Sequence, residues 1–438
     1  GGSLPYYEYN PDGYDITSAN IDLMNPTKTG YEFIGWTVDL ETKELFDFDT
    51  IIDKHLILYA VWEIEVVVKD YSNIINDYVP DQLTTSIELP RRLDDLNLIW
   101  SSSDAYTLTN DGILVRPRED KVITVNLTVY DRGELFDYSK EVLVKAIEFE
   151  PLQSGNLVFG YYSQWNFYGY TEKMLETCDV INLCFGYVTP EFTIDATSVY
   201  PVLSQVLVAR EHGVRVVLSI QGYSSAGTNF SRAAATEQGR ITLAESMLRV
   251  VEKYHLDGID IDWEIPDTGT KFTKLAKKIY DAVKANNPNH IVTAAIGGGK
   301  WQPPKYDLTN SRSYLDYVNV MTYNMVTNSG IHHSALYSSK NYFDSTNKVG
   351  YTMTSCSIKE SVDIYNNTYG ISSDKLIVGA AFYGIRQTRS STSDSWTYKG
   401  SVSYTSIVND YLSSFDFNVD NCYNFNIEGC CVMFKIRK

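Results

Sequence analysis

The chain has 438 residues, 44% of them hydrophobic, and a formal net charge of -18 from 55 acidic against 37 basic side chains. That length exceeds what one hydrophobic core covers, so two or more domains are expected. The acidic balance excludes a nucleic-acid partner, which needs clustered Lys and Arg, and no apolar run approaches the ~18 residues of a membrane span.

The first residues, GGSLPYYEYN, carry neither a starting Met nor a basic-then-apolar leader and read as a cut end. Over residues 1–63, the stretches NPTKTGYEFIGWTVD, FDFDT and HLILYAVWE are short aromatic runs separated by Gly, Pro and Asp turns. They predict a small β-rich module with Tyr31, Phe33, Trp36, Tyr59 and Trp62 as its core. The succession of Pro, Gly-Tyr, Phe and Gly-Trp closing on LILYAVW resembles the Listeria-Bacteroides type of repeat found on bacterial cell-surface proteins.

Residues 64–148 continue in strand texture, with IEVVVKD, LNLIWSSSD, VITVNLTVYD and SKEVLVKAIE alternating at period two, which predicts an antiparallel sandwich. The stretch IWSSSDAYTLTNDGILVRP resembles the bacterial immunoglobulin-like modules that accompany secreted carbohydrate-active enzymes. Neither module gathers convergent polar residues, so both are expected to be spacers. Residues 149–156 read as a linker.

From 157 to 438 buried strands alternate with helical stretches: LVFGYYSQW, VINLCFGYV, VRVVLSIQG, GIDIDWEI, HIVTAAIGG, YVNVMTYNM, KLIVGAAFYG and CVMF. Such continuous apolar runs suit a parallel sheet covered by helices, and eight of them predict an α/β (β/α)8 TIM barrel. Between the fourth and fifth, TKFTKLAKKIYDAVKANNPN places Phe272, Leu275, Ala276, Ile279 and Val283 on one helical face and ends at Asn-Pro. All six cysteines lie beyond residue 177 without metal-type spacing and are expected to be core residues. The 34 Tyr and 7 Trp offer flat faces that suit either sugar rings or ordinary cores.

The fourth strand carries the chemistry. Side chains two apart share a face, so Asp260, Asp262 and Glu264 line one side and Ile259, Ile261 and Trp263 the other. Inside a barrel the three acids climb toward the C-terminal mouth at roughly 6.5 to 7 Å per step. Carboxylates this close in a low dielectric cannot all ionise, so pKa values should rise, and a proton held here suits Glu264 to general acid catalysis. A hard-cation site would also use such oxygens, but Ile265 stands where a calcium loop needs Gly. A purely structural role would bury unpaired acids at a cost. A glycosidic bond needs a protonated leaving group, and no second acid-rich strand end faces the first across the barrel.

DGIDIDWE at 257–264 matches the DGxDxDWE signature of glycoside hydrolase family 18, the chitinases and endo-β-N-acetylglucosaminidases. LSIQG at 218–222 resembles its third-strand motif with Gln221 for the first Gly, MTYN at 321–324 resembles its sixth-strand motif, and GYYSQW and Phe185-Gly186 are similar to its first and second strands. The resemblance implies that Glu264 protonates the leaving oxygen, Asp262 holds the acetamido group of the −1 sugar, Asp260 shares a proton with Asp262, and Tyr323 bonds the acetamido oxygen. It further implies that Tyr161, Phe185, Gly222, Met321, Asn324 and Tyr383 line the −1 site, with Trp165 stacking a sugar further out.

Three departures stand out. Asn324 replaces the usual Asp, Ile265 replaces an aromatic, and Lys435 follows CVMF where a Trp usually floors the −1 site, so the chain reads as truncated or altered toward its end, or Trp301 substitutes. Residues 385–430 leave no room for an α+β insertion domain, which implies an open cleft. His332 and His333 could touch sugar, but adjacent loop histidines are more often simply solvated, and that is the reading expected here. The resemblance implies a monomeric, secreted or cell-surface bacterial enzyme acting on a polysaccharide or glycan containing N-acetylglucosamine, with no cofactor and no metal. The chitobiose core of N-glycans stays open as the substrate, as does a catalytically weak carbohydrate-binding or adhesion protein.

Overall fold

A computed structural model of the chain describes residues 26–49, 56–65, 69–148, 152, 157–163, 172–325, 333–337, 356–389, 396–412, 423–427 and 430–434. They fall into two compact units, Gly1–Asn73 and Ile74–Lys438. In the first, strands Tyr31–Thr37 and Tyr59–Ile64 pair antiparallel. Phe33 meets Trp36 at 5.4 Å and Trp62 at 5.6 Å, both edge-on, and these rings form its core. Tyr31 and Tyr59, expected beside them, are exposed, because they pair with Ile64 and Thr37 at the two ends of the ladder.

The second unit opens with one five-stranded sheet built from Gln82–Leu83, Arg92–Leu93, Leu96–Ser102, Lys121–Asp131 and Glu134–Val144. Alternation buries Ile123, Val125, Leu127 and Val129 and leaves Val122 and Tyr130 exposed. A sandwich needs two facing sheets, and among the described residues there is one. This sheet and the barrel belong to a single compact unit, so the boundary expected at 149–156 does not divide two independent bodies. Apart from Leu152, that linker lies outside the described residues.

Seven parallel strands follow in sequence order: Phe159–Ser163, Val180–Val188, Arg215–Gln221, Gly258–Asp262, Ile291–Gly297, Tyr317–Met321 and Leu376–Val378. We call them barrel strands one to seven. Helices Ser224–Ala235 and Glu237–Tyr254 cross from strand three to four, and Gly269–Asn286 from four to five. Thr268 starts that last helix by accepting from the Lys271 amide, and Pro288 bars its continuation. Its buried face is Phe272, Leu275, Ala276, Ile279 and Val283, as the spacing predicts. Apart from Ala276, each such side chain contributes about 1.5–3 kcal/mol on burial.

Alternate strand residues divide between two cores. Ile181, Leu218, Ile259, Ile261, Val292 and Val320 pack outward under the helices with Trp263. Inside, Val180, Val217 and Ile291 form an apolar foot with Phe159 and Tyr317 against it. Above that foot the inward residues turn polar.

The eighth predicted strand behaves differently. CVMF lies in Cys430–Phe434, which pairs antiparallel with Tyr383–Arg389 in a four-stranded sheet that also contains Trp396–Ser403 and Tyr423–Ile427. Among the described residues it does not close the barrel, and a small antiparallel sheet occupies the stretch expected to leave an open cleft. A four-residue apolar run carries no mark of its pairing partner. No helix among the described residues is long and apolar enough to cross a membrane. Of the cysteines, Cys184 and Cys356 are buried and free, and Cys178 is half-buried and free.

Candidate active site

Strand four begins at Gly258, where a Cβ would fall 2.0 Å from the Ile291 carbonyl oxygen, so only glycine lets strands four and five approach. The register that results sets Asp260 between Ser219 on strand three and Thr293 on strand five. Fully buried Asp260 accepts from four donors: Ser219 Oγ at 2.7 Å, Tyr161 Oη at 3.1 Å, Thr293 Oγ1 at 2.6 Å and Asn319 Nδ2 at 3.2 Å. Burial pushes its carboxyl above the usual range, and the four donors oppose that by favouring the charged form. Asn319 Nδ2 also donates to Tyr161 Oη at 2.8 Å, tying strands one, three, four, five and six into one network. Tyr161 leaves its ring exposed while its hydroxyl is sunk, and burial beside Asp260 and Asp262 holds the phenol well up, hence protonated.

Asp262, one step higher, has no such support. Its Oδ1 is buried without a hydrogen-bond partner. Burial first, then the charges of Asp260 and Glu264, push its carboxyl well above the usual range. No hydrogen bond joins Asp260 to Asp262 among the described residues, because the acceptor sites of Asp260 are taken, so the shared proton implied by the family resemblance has no bridging contact in this geometry. Glu264 sits past the end of the strand, exposed at the rim, and partial loss of hydration raises its carboxyl too. All three acids are thus pushed toward holding a proton, Asp262 well above the usual range, and four donors oppose that push at Asp260.

The opposite wall comes from strand six and the segment after strand seven. Tyr323 meets Tyr383 edge-on at 6.1 Å, and burial raises both phenols, Tyr383 to about 12. Asn324, at a left-handed φ of 51°, accepts from Tyr383 Oη at 2.9 Å, and its amide N–H donates to His333 Nδ1 at 3.2 Å. His333 is therefore a buried support, its ring tilted at 31° and 5.3 Å from that of Tyr383, and not a solvated loop residue. The amide at Asn324 fills the structural place of an Asp without its charge.

Phe185, within strand two, and Met321, at the end of strand six, are half-buried. Gly222 is required by packing, since a Cβ there would lie 2.7 Å from the Trp263 backbone and 2.8 Å from the Phe230 ring. Trp301 is exposed on the loop after strand five, available as a platform but not as a buried floor. Trp165 and His332 lie outside the described residues. Ser219, Thr293 and Asn319 escaped the sequence reading. Their signal was a polar residue at an inward position of an otherwise apolar strand, in VVLSI, IVTAA and YVNVM.

Residues 157–425 match the family model for glycosyl hydrolases family 18, and residues 1–61 match that for the Listeria-Bacteroides repeat domain. A class V chitinase from Medicago truncatula is 31% identical over 193 residues, 40% of this chain and 47% of that protein. The chain thus spans about half or less of the length of the curated relatives it matches first. Among solved structures, a family 18 N-acetylglucosaminidase from Paenibacillus barengoltzii has a TM-score of 0.52 at 25% identity, covering 64% of this chain and 88% of that one. A cell-surface-expressed, multi-modular chitinase from a Paenibacillus strain shares the fold at a TM-score of 0.52 and 17% identity, over 79% of this chain and 36% of that one.

Proposed function

The chain belongs to glycosyl hydrolases family 18, and from that membership we propose that it is a glycosidase cleaving β-1,4 bonds between N-acetylglucosamine units with retention of configuration. The observation that carries this reading is the buried, unpaired oxygen of Asp262 lying between a four-donor Asp260 and a proton-raised Glu264. Glu264 gives its proton to the leaving oxygen as the bond to C1 breaks. The acetamido oxygen of the same sugar then bonds C1, and Asp262 faces the acetamido N–H, offsetting the positive charge that develops on it. Tyr323, held protonated by burial, donates toward the acetamido oxygen. Water attacks C1, loses its proton to Glu264 and reopens the ring, which regenerates both groups.

Chitin-type oligomers are the first substrate to try, because the family relatives are chitinases. The surface-type repeat at the N-terminus and the surface-expressed Paenibacillus neighbour favour a place of action outside the cell. The test is hydrolysis of N-acetylchitooligosaccharides beside a high-mannose glycoprotein, read by mass spectrometry. Cleaved oligomers support this proposal, and glycans released to leave one GlcNAc on protein move the substrate to N-glycans. Glu264→Gln should lose at least a thousandfold in rate while still binding chitotetraose. Equal rates in the variant would remove Glu264 from the reaction.

A further inference from the structure

The five-stranded sheet looks like a spacer from its sequence, yet it places a charged side chain at the foot of the catalytic strand. Asp257, the residue before strand four, is fully buried. Its Oδ1 accepts from Arg118 Nε at 2.9 Å and Arg118 Nη2 at 2.7 Å, and its Oδ2 accepts from the Val216 amide at 2.9 Å. Arg118 also donates to the carbonyls of Ile147 and Glu148, so it is braced within its own module. The barrel's own cation, Arg210, stands off at 3.7 Å from Asp257 and donates instead to the His255 carbonyl. The surrounding contacts seat the module firmly. Val115 belongs to the barrel's hydrophobic core, Tyr106 meets Tyr254 edge-on at 5.0 Å, and Thr107 Oγ1 lies 2.9 Å from His255 Nε2.

The backbone of Asp257 is itself part of the barrel: its N–H donates to the Val216 carbonyl and its C=O accepts from the Ile291 amide. Anything that fixes this side chain therefore fixes strand four relative to strands three and five. We propose that the 82–144 sheet is a positioning element of the catalytic barrel, acting through Arg118 on Asp257 and so on the strand that carries Asp260, Asp262 and Glu264. Arg118 lies outside the stretch that matches family 18, so the contact reaches the barrel from outside the matched domain. A buried carboxylate that loses Arg118 keeps Arg210 at 3.7 Å but not the two paired N–H donors on Oδ1, and the backbone beside it must move or admit water.

The test uses the full chain with Arg118→Met, alone and combined with Asp257→Asn. The expected single variant loses roughly 5 °C or more in Tm, and amides in the peptide covering 256–266 exchange at least about tenfold faster. The kcat on chitotetraose, which rests on the proposed function, falls about tenfold with KM within about twofold, because positioning rather than binding is lost. The double variant should recover only part of the lost exchange protection, since Asp257→Asn removes the carboxylate charge that Arg118 met but leaves the buried Arg210 guanidinium, 3.7 Å away, without that carboxylate. If Arg118→Met fails to fold, Arg118→Lys, which keeps the charge but not the paired donors, gives the same readouts. Wild-type exchange across 256–266 in whichever variant folds overturns the proposal. So does a lower Tm with unchanged kcat and exchange, which would leave Arg118 a purely stabilising residue. Should the parent protein hydrolyse no substrate, the reading of function fails while exchange and rescue still decide this one.

Discussion

Replacing Asp262 by Asn should stabilise the protein at neutral pH. The side chain is 6% exposed and its Oδ1 finds no partner. An unsatisfied buried polar atom costs about 1–3 kcal/mol. The sign with pH follows from the direction of its shift. A carboxyl held well above 3.8 in the folded state binds its proton more tightly there than when unfolded. Folding is therefore favoured most below the unfolded value, and stability is lost as pH rises from about 3.8 toward the raised folded value. Asn does not titrate, so the variant escapes that loss. Asn keeps an unpaired polar atom in the same place, so that cost is common to both proteins and the gain comes from the lost titration alone: about 1 kcal/mol or more at pH 7, or roughly 2 °C or more in Tm, shrinking toward zero near pH 3.5. Urea denaturation of both proteins between pH 3.5 and 8 measures it. Under the proposed function, hydrolysis should fall about a hundredfold in the same variant, since an amide cannot become the anion that offsets the developing charge. A variant equally or less stable at pH 7, or a gain that does not grow with pH, refutes the reasoning.

Thr293→Val removes the shortest donor to Asp260 without changing shape and should cost about 1.5–3 kcal/mol in urea denaturation; an unchanged midpoint would mean that the cradle contributes nothing. Gly222→Ala drives a methyl into the Trp263 backbone and the Phe230 ring, and a loss of about 1–3 kcal/mol in the same assay is expected. Were the alanine variant as stable as its parent, the close approach of strands three and four would be wrong. Asn324→Asp keeps an acceptor for Tyr383 but adds negative charge on the wall facing Glu264. That charge disfavours ionisation of Glu264, so the alkaline limb of the pH–rate profile should move to higher pH, and a limb that stays put or moves down would place the two groups out of electrostatic reach.

The catalytic strand was legible because its information is local. Period two alone puts Asp260, Asp262 and Glu264 on one face and sends Trp263 to the other, where it stacks on Phe230 at 5.3 Å. The helix 269–286 was legible for the same reason, its buried face being spaced at 3–4 residues and its end marked by Pro288. The partners of Asp260 were not, because Ser219, Thr293 and Asn319 reach it only through the register of four different strands. Nor was the lodging of CVMF in an antiparallel sheet, or the role of His333 beneath Tyr383.

From sequence alone came the barrel's order of strands, the face that carries the acids and the family to which they belong. Tertiary structure alone decided how strongly each carboxyl is pushed toward holding a proton and what opposes that push, since this depends on how many donors surround each carboxyl. Four meet Asp260 and none meets Oδ1 of Asp262. It also decided that Arg118, 139 positions from Asp257 in the chain, closes the foot of the same strand. Side-chain direction within a strand follows from covalent geometry, whereas hydrogen-bond and charge partners follow from which distant strands lie alongside, and no local pattern encodes that choice.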